Sequence, residues 1–230
     1  TALTAKAAAA RGDLVAAAIA WQRVYYGWPD STEGGEAGKE LPRLAESLGP
    51  TMPPAQPSAF LGRSARLLNR GMLRPAQSEL EAAVSRLAGS DHDVARVRLC
   101  EVDYFGRNSA AAYECLRGLE VEWPEADAER LYYLMQTARR LGRSVQMTAW
   151  TDALSKYPHS QWRLRALVAA GNEFQLQNRP ATADRFFRAC YAAFPSDRDG
   201  AYCHWKVAWN AYMARRADAL ELFRDHTVKY

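Results

Sequence analysis

The 230-residue sequence predicts an all-α fold, a right-handed solenoid of α-α hairpins stacked into one superhelix. Three observations predict it. About 42 residues are alanine, the strongest helix former, because its side chain gives up no rotamer entropy and hides no polar group. Helix-ending residues recur at Gly12, Gly71, Gly106, Gly142, Asn178 and Ala214, spaced by 59, 35, 36, 36 and 36 positions. An aromatic-proline pair closes most units: WPDS at Trp28, WPEA at Trp123, YPHS at Tyr157 and FPSD at Phe194. Proline stops a helix because it lacks an N–H and restricts the residue before it, and the Ser or Asp behind it can cap the next helix.

In chain order, a first hairpin turns at Gly12 and closes at Trp28. EAGKELPRLAESLG then reads as an extra helix, with GGEAGKE from Gly34 a loop running into it, and GPTMPPAQP as a proline-rich break. Five more hairpins follow from Pro57. The expected organisation is residues 1–56, a hairpin with an extra helix and the break, and residues 57–230, five hairpins continuous with the first part, because stacked hairpins bury their apolar faces only against neighbours. Small residues fall about seven positions before, five after and twelve after the turn: Ser64, Ala76, Ala83; Cys100, Ala112; Gly171, Ala183, Cys190. Helices approach closely where side chains are small, so these are expected contact points. Cys100 and Cys190 then read as small buried apolar residues rather than ligands or nucleophiles. With Cys115 and Cys203 they form no C-x-x-C pair, and an even count permits two disulfides without requiring them.

The unit resembles the tetratricopeptide repeat (TPR), with small residues at comparable positions, a large residue at Phe187 and a closing Pro195. The resemblance implies a fold of TPR-like hairpins and an interaction role. Other classes fare poorly. The longest uncharged apolar run, Leu14 to Trp21, is far short of the roughly 20 residues a bilayer requires, so no membrane span is expected. Net charge is +4, and the arginines are spread along the chain rather than gathered in one patch, so nucleic acid is not an expected partner.

Catalytic and cofactor motifs fail on their mechanics. GGEAGKE has Glu33 where a phosphate loop needs glycine, and Glu40 where it needs Ser or Thr. SDHD at Ser90 crowds its groups along one turn, which suits a helix start better than a triad. His159, His204 and His226 show no metal-ligand spacing. No cofactor or metal is expected. Two groups remain as candidate groove or docking residues. Arginines cluster at the turns, Arg139, Arg140 and Arg143 among them, and acids cluster where first helices begin, which suits helix-dipole matching or a docking edge for an anionic partner. Tyr202, Trp205, Trp209 and Tyr212 share one helical face, suited to packing against a following unit, or to stacking on sugar rings or a peptide.

The closing stretch AYCHWKVAWNAYMARRADALELFRDHTVKY resembles the last helical hairpin before the catalytic region of bacterial soluble lytic murein transglycosylases. RSARLLNRGMLRPAQSELEAAV from Arg63 and LSKYPHSQWRLRALVAAGNEF from Leu154 look like the same superhelical region. The resemblance implies a noncatalytic scaffold in the periplasm or cell envelope, whose partners are peptidoglycan glycan strands and a C-terminal catalytic domain. In that family one glutamate cleaves the glycan strand without water attack, giving an anhydro product. Its motif pairs that Glu with Ser, with Gly-Leu-Met-Gln downstream. Glu46 and Ser47 lead into Leu48 and Gly49, and Leu134, Met135 and Gln136 lack the preceding glycine, so neither site transfers. The chain also ends at VKY, where another unit places proline next, so the active site is expected beyond Tyr230. The alternative is a stand-alone TPR adaptor for a protein or peptide.

Overall fold

Six turns of one backbone design punctuate the chain. At each, a residue with φ between +54° and +76° follows the end of a helix: Gly12, Gly71, Arg107, Gly142, Asn178 and Arg215. Its N–H reaches the carbonyl three residues back, and the next N–H reaches the carbonyl five back. Gly71 and Met72 bond Leu68 and Leu67, both at 2.9 Å, and Asn178 and Arg179 bond Gln175 and Phe174 at 3.0 and 2.9 Å. This Schellman geometry satisfies the last carbonyls of a helix. It corrects the sequence reading at two turns, where the left-handed residue is Arg107 rather than Gly106, and Arg215 rather than Ala214.

The computed structural model describes residues 1–230 and forms two compact units, Thr1–Asn108 and Ser109–Tyr230, all-helical without strands. The first holds α1 (Ala2–Ala10), α2 (Leu14–Gly27), α3 (Thr32–Leu48), α4 (Pro57–Asn69), α5 (Leu73–Arg86) and α6 (Gly89–Phe105). The second holds α7 (Ser109–Gly118), α8 (Pro124–Arg140), α9 (Ser144–Ala153), α10 (Gln161–Leu176), α11 (Pro180–Ala193), α12 (Arg198–Met213) and α13 (Ala219–Lys229). No helix is long and apolar enough to cross a membrane.

Capping follows the aromatic-proline markers. Ser31 accepts from the Gly34 N–H at 2.9 Å, Ser160 from Trp162 at 3.2 Å and Asp197 from Asp199 at 2.8 Å. The glycines after Ser31, expected as loop, lie inside α3. The Ser31 cap starts that helix early, and Gly34 fits because a Cβ there would sit 2.1 Å from the Trp28 carbonyl oxygen.

α3 also sets the phase of the first unit. Gln22 donates to the Pro53 carbonyl at 2.7 Å, the Tyr26 ring lies 6.3 Å from Phe60, and Asp30 pairs with Arg70 at 3.1 Å. Partner numbers rise together, so α2 and α4 run parallel. In alternating hairpins, parallel neighbours are two elements apart, so α3 takes the second-helix place beside α2. It is α1, rather than α3, that stands outside the alternation.

The small slots are buried. Ser64, Ala76, Ala83, Cys100, Ala112, Ala183 and Cys190 are each at most 3% exposed. Taking Arg107 as the turn puts Cys100 and Ala112 in the same register as the others. The Gly142 repeat breaks the small-residue rule, with Met135, Met147 and Leu154 buried in its slots. Gly171 shows why size matters elsewhere: a Cβ there would lie 2.4 Å from the Phe187 ring. The cysteines take the disulfide-bonded state that their even number permits. None is free, and Cys190 and Cys203 form a disulfide with Cα atoms 6.1 Å apart, joining α11 to α12. Cys190 is buried as the sequence suggested, but as half of a cross-link.

A buried carboxylate ties the start of α8 to the marker that closes the α8–α9 hairpin. The marker residue Tyr157 donates to Asp127 at 2.6 Å, and Arg130 donates to the same carboxylate at 2.7 Å. Burial alone would raise the Asp127 carboxyl, but the hydrogen bonds from Tyr157 and Arg130 outweigh it and hold the group below its ordinary value. Burial and that same bond push the Tyr157 hydroxyl up to about 12.

Two substitutions test this account. Gly171→Ala should destabilise the chain by about 1–3 kcal/mol in urea unfolding, because the new methyl overlaps a fully buried ring. Arg215→Gly should stabilise it by about 1 kcal/mol, because an exposed non-glycine residue held at positive φ is released from strain.

Candidate functional site

The α12 face that the sequence singled out is a ladder of exposed aromatics. Trp205, Trp209 and Tyr212 are 38%, 39% and 58% exposed. The Trp205 and Trp209 rings stack at 5.7 Å with 17° between planes, Tyr212 lies 5.8 Å from Trp209, and Phe223 of α13 closes the row at 6.3 Å from Tyr212. Lys206 lies 5.7 Å from the Trp205 ring centroid. Tyr202, predicted for the same face, is packing instead: its hydroxyl donates to Asn172 of α10 at 2.8 Å.

Register explains the exposure. The ladder sits ten, six and three positions before the left-handed Arg215. The same positions on α8 are Tyr132, Gln136 and Arg139, and on α10 they are Val168, Asn172 and Gln175. On α8 this face meets the following first helix, with Tyr132 5.2 Å from Trp162 and Arg139 3.4 Å from Glu173. On α10 it meets Tyr202 of α12 through Asn172. On α12 the face is open, and it carries the largest aromatic side chains of the three.

The reverse face of α12 is fixed. Cys203 is bonded to Cys190, and Asn210 donates to Asp184 of α11 at 2.7 Å. Arg216 adds a second contact to Asp184 at 3.3 Å. The buried His204 and His226 of α13 bring their Nδ1 atoms within 3.3 Å, where one ring donates and the other accepts. Tyr191 packs edge-on against His204 at 4.8 Å. Burial, with the nearby Lys229 and His226 charges, lowers the His204 pKa, against a smaller opposing pull from Asp225. Sequence reasoning missed this pair because 22 positions and a turn separate the two histidines, and no local spacing marks them.

The three turn arginines Arg139, Arg140 and Arg143 have different surroundings. Arg139 is half-buried, donating to Gln136 at 2.9 Å and pairing with Glu173. Arg143 is exposed but lies over the Tyr113 ring, 5.1 Å from its centroid. Arg140 is exposed. Arg139 and Arg140 lie in the last turn of α8 and Glu125 and Asp127 in its first, a placement that suits the helix dipole. No group of three or more His, Cys, Asp or Glu side chains is placed to hold a metal ion.

No family model and no curated protein matches the chain. Among solved structures it is similar to a putative kinesin light chain of Podosopora anserina with nearly identical TPR-like repeats. The match has 14% identity and a TM-score of 0.51, and covers 76% of this chain and 97% of that one. Together with the helical content, the likeness shows the fold to be an all-α array of TPR-like repeats.

The histidine pair has a definite pH signature. A lowered folded-state pKa favours neutral His204, so its contribution is complete above 6.5 and is lost as pH falls from there toward the folded value. The melting temperature should therefore drop between about pH 7.5 and about pH 5, and the drop should shrink in His204→Phe, which keeps a ring but cannot titrate.

Proposed function

We propose that the chain is a noncatalytic protein-interaction scaffold, the helical-repeat region of a lytic murein transglycosylase, and that the α12 ladder seats its protein partner. The observation that carries the reading is the ladder's register. It occupies the face that the next first helix covers in the two preceding repeats, and it fills that face with two tryptophans and a tyrosine. Exposed aromatics of this kind supply large contact area at low entropic cost and are enriched at interface hot spots. The resemblance of residues 201–230 to the hairpin before the catalytic region makes that catalytic domain the partner and peptidoglycan the substrate of the assembly. The absence of free cysteines supports an oxidising compartment such as the periplasm. The likeness to TPR-like repeats supports an interaction role equally for a stand-alone adaptor, which is the second reading.

Titration with a lytic transglycosylase catalytic domain supplied in trans tests the pairing. The wild-type chain should bind it, and Trp205→Ala/Trp209→Ala/Tyr212→Ala should bind at least about tenfold more weakly while the chain stays folded by circular dichroism. Isolated sacculi should be bound but not degraded. Release of anhydro-muropeptides by the chain alone would overturn the noncatalytic reading. Tight binding of a short peptide with no affinity for sacculi or the catalytic domain would favour the adaptor.

A further inference from the structure

The first unit contains an open groove of about 1060 Å³ between the C-terminal half of α2, the proline-rich segment and the start of α4. Its origin is a missing helical turn. α4 has 13 residues, against 17 in α6 and α8 and 16 in α10 and α12. Counted back from the left-handed turn residue, α4 begins 14 positions before Gly71, whereas α10 begins 17 positions before Asn178. In α10 that first turn carries Trp162, which packs on Tyr132 and Tyr133 at 5.2 and 5.9 Å. The corresponding place beside α2 holds Pro53, Pro54 and Gln56 instead, and the space is left open. Gln22 pins this wall through its bond to the Pro53 carbonyl, and the two prolines stiffen it.

The groove has a consistent chemistry. Ile19, Tyr26 and Trp28 give it an apolar and aromatic floor, and Trp28 is 58% exposed. Its only ionisable groups of definite charge are Arg23 and Arg66, in a chain whose acids and bases are nearly balanced. Arg66 donates to the Tyr26 carbonyl at 3.2 Å, and Arg63 to that of Tyr25, so the negative end of α2 is already satisfied. Arg23 is exposed and its guanidinium makes no hydrogen bond or ion pair within the chain. The start of α4, which lines the opposite wall, has no side-chain cap, and its dipole adds to the positive field.

We propose that this groove binds an extended acidic peptide segment of a partner protein, with carboxylates on Arg23 and Arg66 and an apolar side chain on Tyr26 and Trp28. The volume suits a short segment, the stiff proline wall limits the ordering cost, and Gln56 and Ser58 offer polar groups to its backbone. The site uses none of the ladder residues, so it stands or falls independently of the proposed function.

An arrayed octapeptide library, probed with the full chain, tests it. Peptides rich in Asp and Glu with one aromatic or aliphatic residue should be enriched over matched lysine-containing peptides, and their binding should weaken as salt is raised. Arg23→Glu and Ser58→Trp, both at exposed positions, should each reduce that binding at least about tenfold while the melting temperature holds, because one reverses the charge and the other fills the groove. Trp209→Ala should leave it unchanged. The proposal is overturned by equal capture of acidic and basic peptides, by acidic binding that survives both groove variants, or by selective capture of anionic glycan fragments in place of peptides.

Discussion

A left-handed residue closing each of six helices is the constraint on which the rest of the structure depends. At five of them, Gly12 to Asn178, the two backbone hydrogen bonds at that residue are followed by a new helix two positions on, which sets how that helix is rotated; after Arg215 the next helix starts four positions on. Once rotation is fixed, the position seven before each turn faces inward, and through Asn178 the position five after does too; after Arg215, where α13 starts later, Leu220 and Thr227 are exposed. A small residue such as Gly171 then admits a large one such as Phe187 from the partner helix. The same rotation fixes which positions of a first helix meet the following repeat, and these are the positions of the α12 ladder.

Much of this was legible because turns and caps are local. Glycine and asparagine at turns and proline after an aromatic announce their backbone conformations by residue type alone. Arginine does not, so Arg107 and Arg215 were hidden behind Gly106 and Ala214. Periodicity gives spacing without direction, and α3 was therefore readable as a helix but not as the partner that puts α2 in the first-helix position. The glycine-rich start of α3 misled because glycine there serves a close approach to the Trp28 carbonyl, not a loop. The Cys190–Cys203 link joins a small slot of α11 to a position of α12 outside the slots, and a spacing of 13 states no pairing. The Trp205, Trp209 and Tyr212 face was legible from helical spacing, but its exposure is a property of the repeat that does or does not cover it.

The arginines at the turns illustrate how one composition serves two ends. A cation in the last turn of a helix is favoured by the dipole, at a few tenths of a kcal/mol when exposed. Arg139 and Arg216 go further, reaching the partly buried Glu173 and the buried Asp184 on neighbouring helices. Such carboxylates could not remain ionised at low cost without these partners and their hydrogen bonds. Arg139 and Arg216 are thus part of the joints between helices, whereas Arg140 and Arg143 at the same kind of turn stay exposed.

The two ends of the α8–α12 series differ in a way that bears on function. Contacts between successive first helices inside the second unit are mixed, combining a ring pair, an amide-hydroxyl hydrogen bond and an ion pair. Polar pairs of this sort fix register but contribute modestly to net stability, since each group gives up water to form them. The open face of α12 replaces them with three aromatic rings, which gain most from burial and need no exact polar partner. Behind that face a disulfide, a buried Asn210–Asp184 bond and the His204–His226 contact hold the helix in place. A rigid backing with an aromatic front spares a partner much of the cost of ordering the surface it binds. That division between a fixed interior face and an open aromatic exterior one is what distinguishes α12 from the first helices that precede it in the same unit.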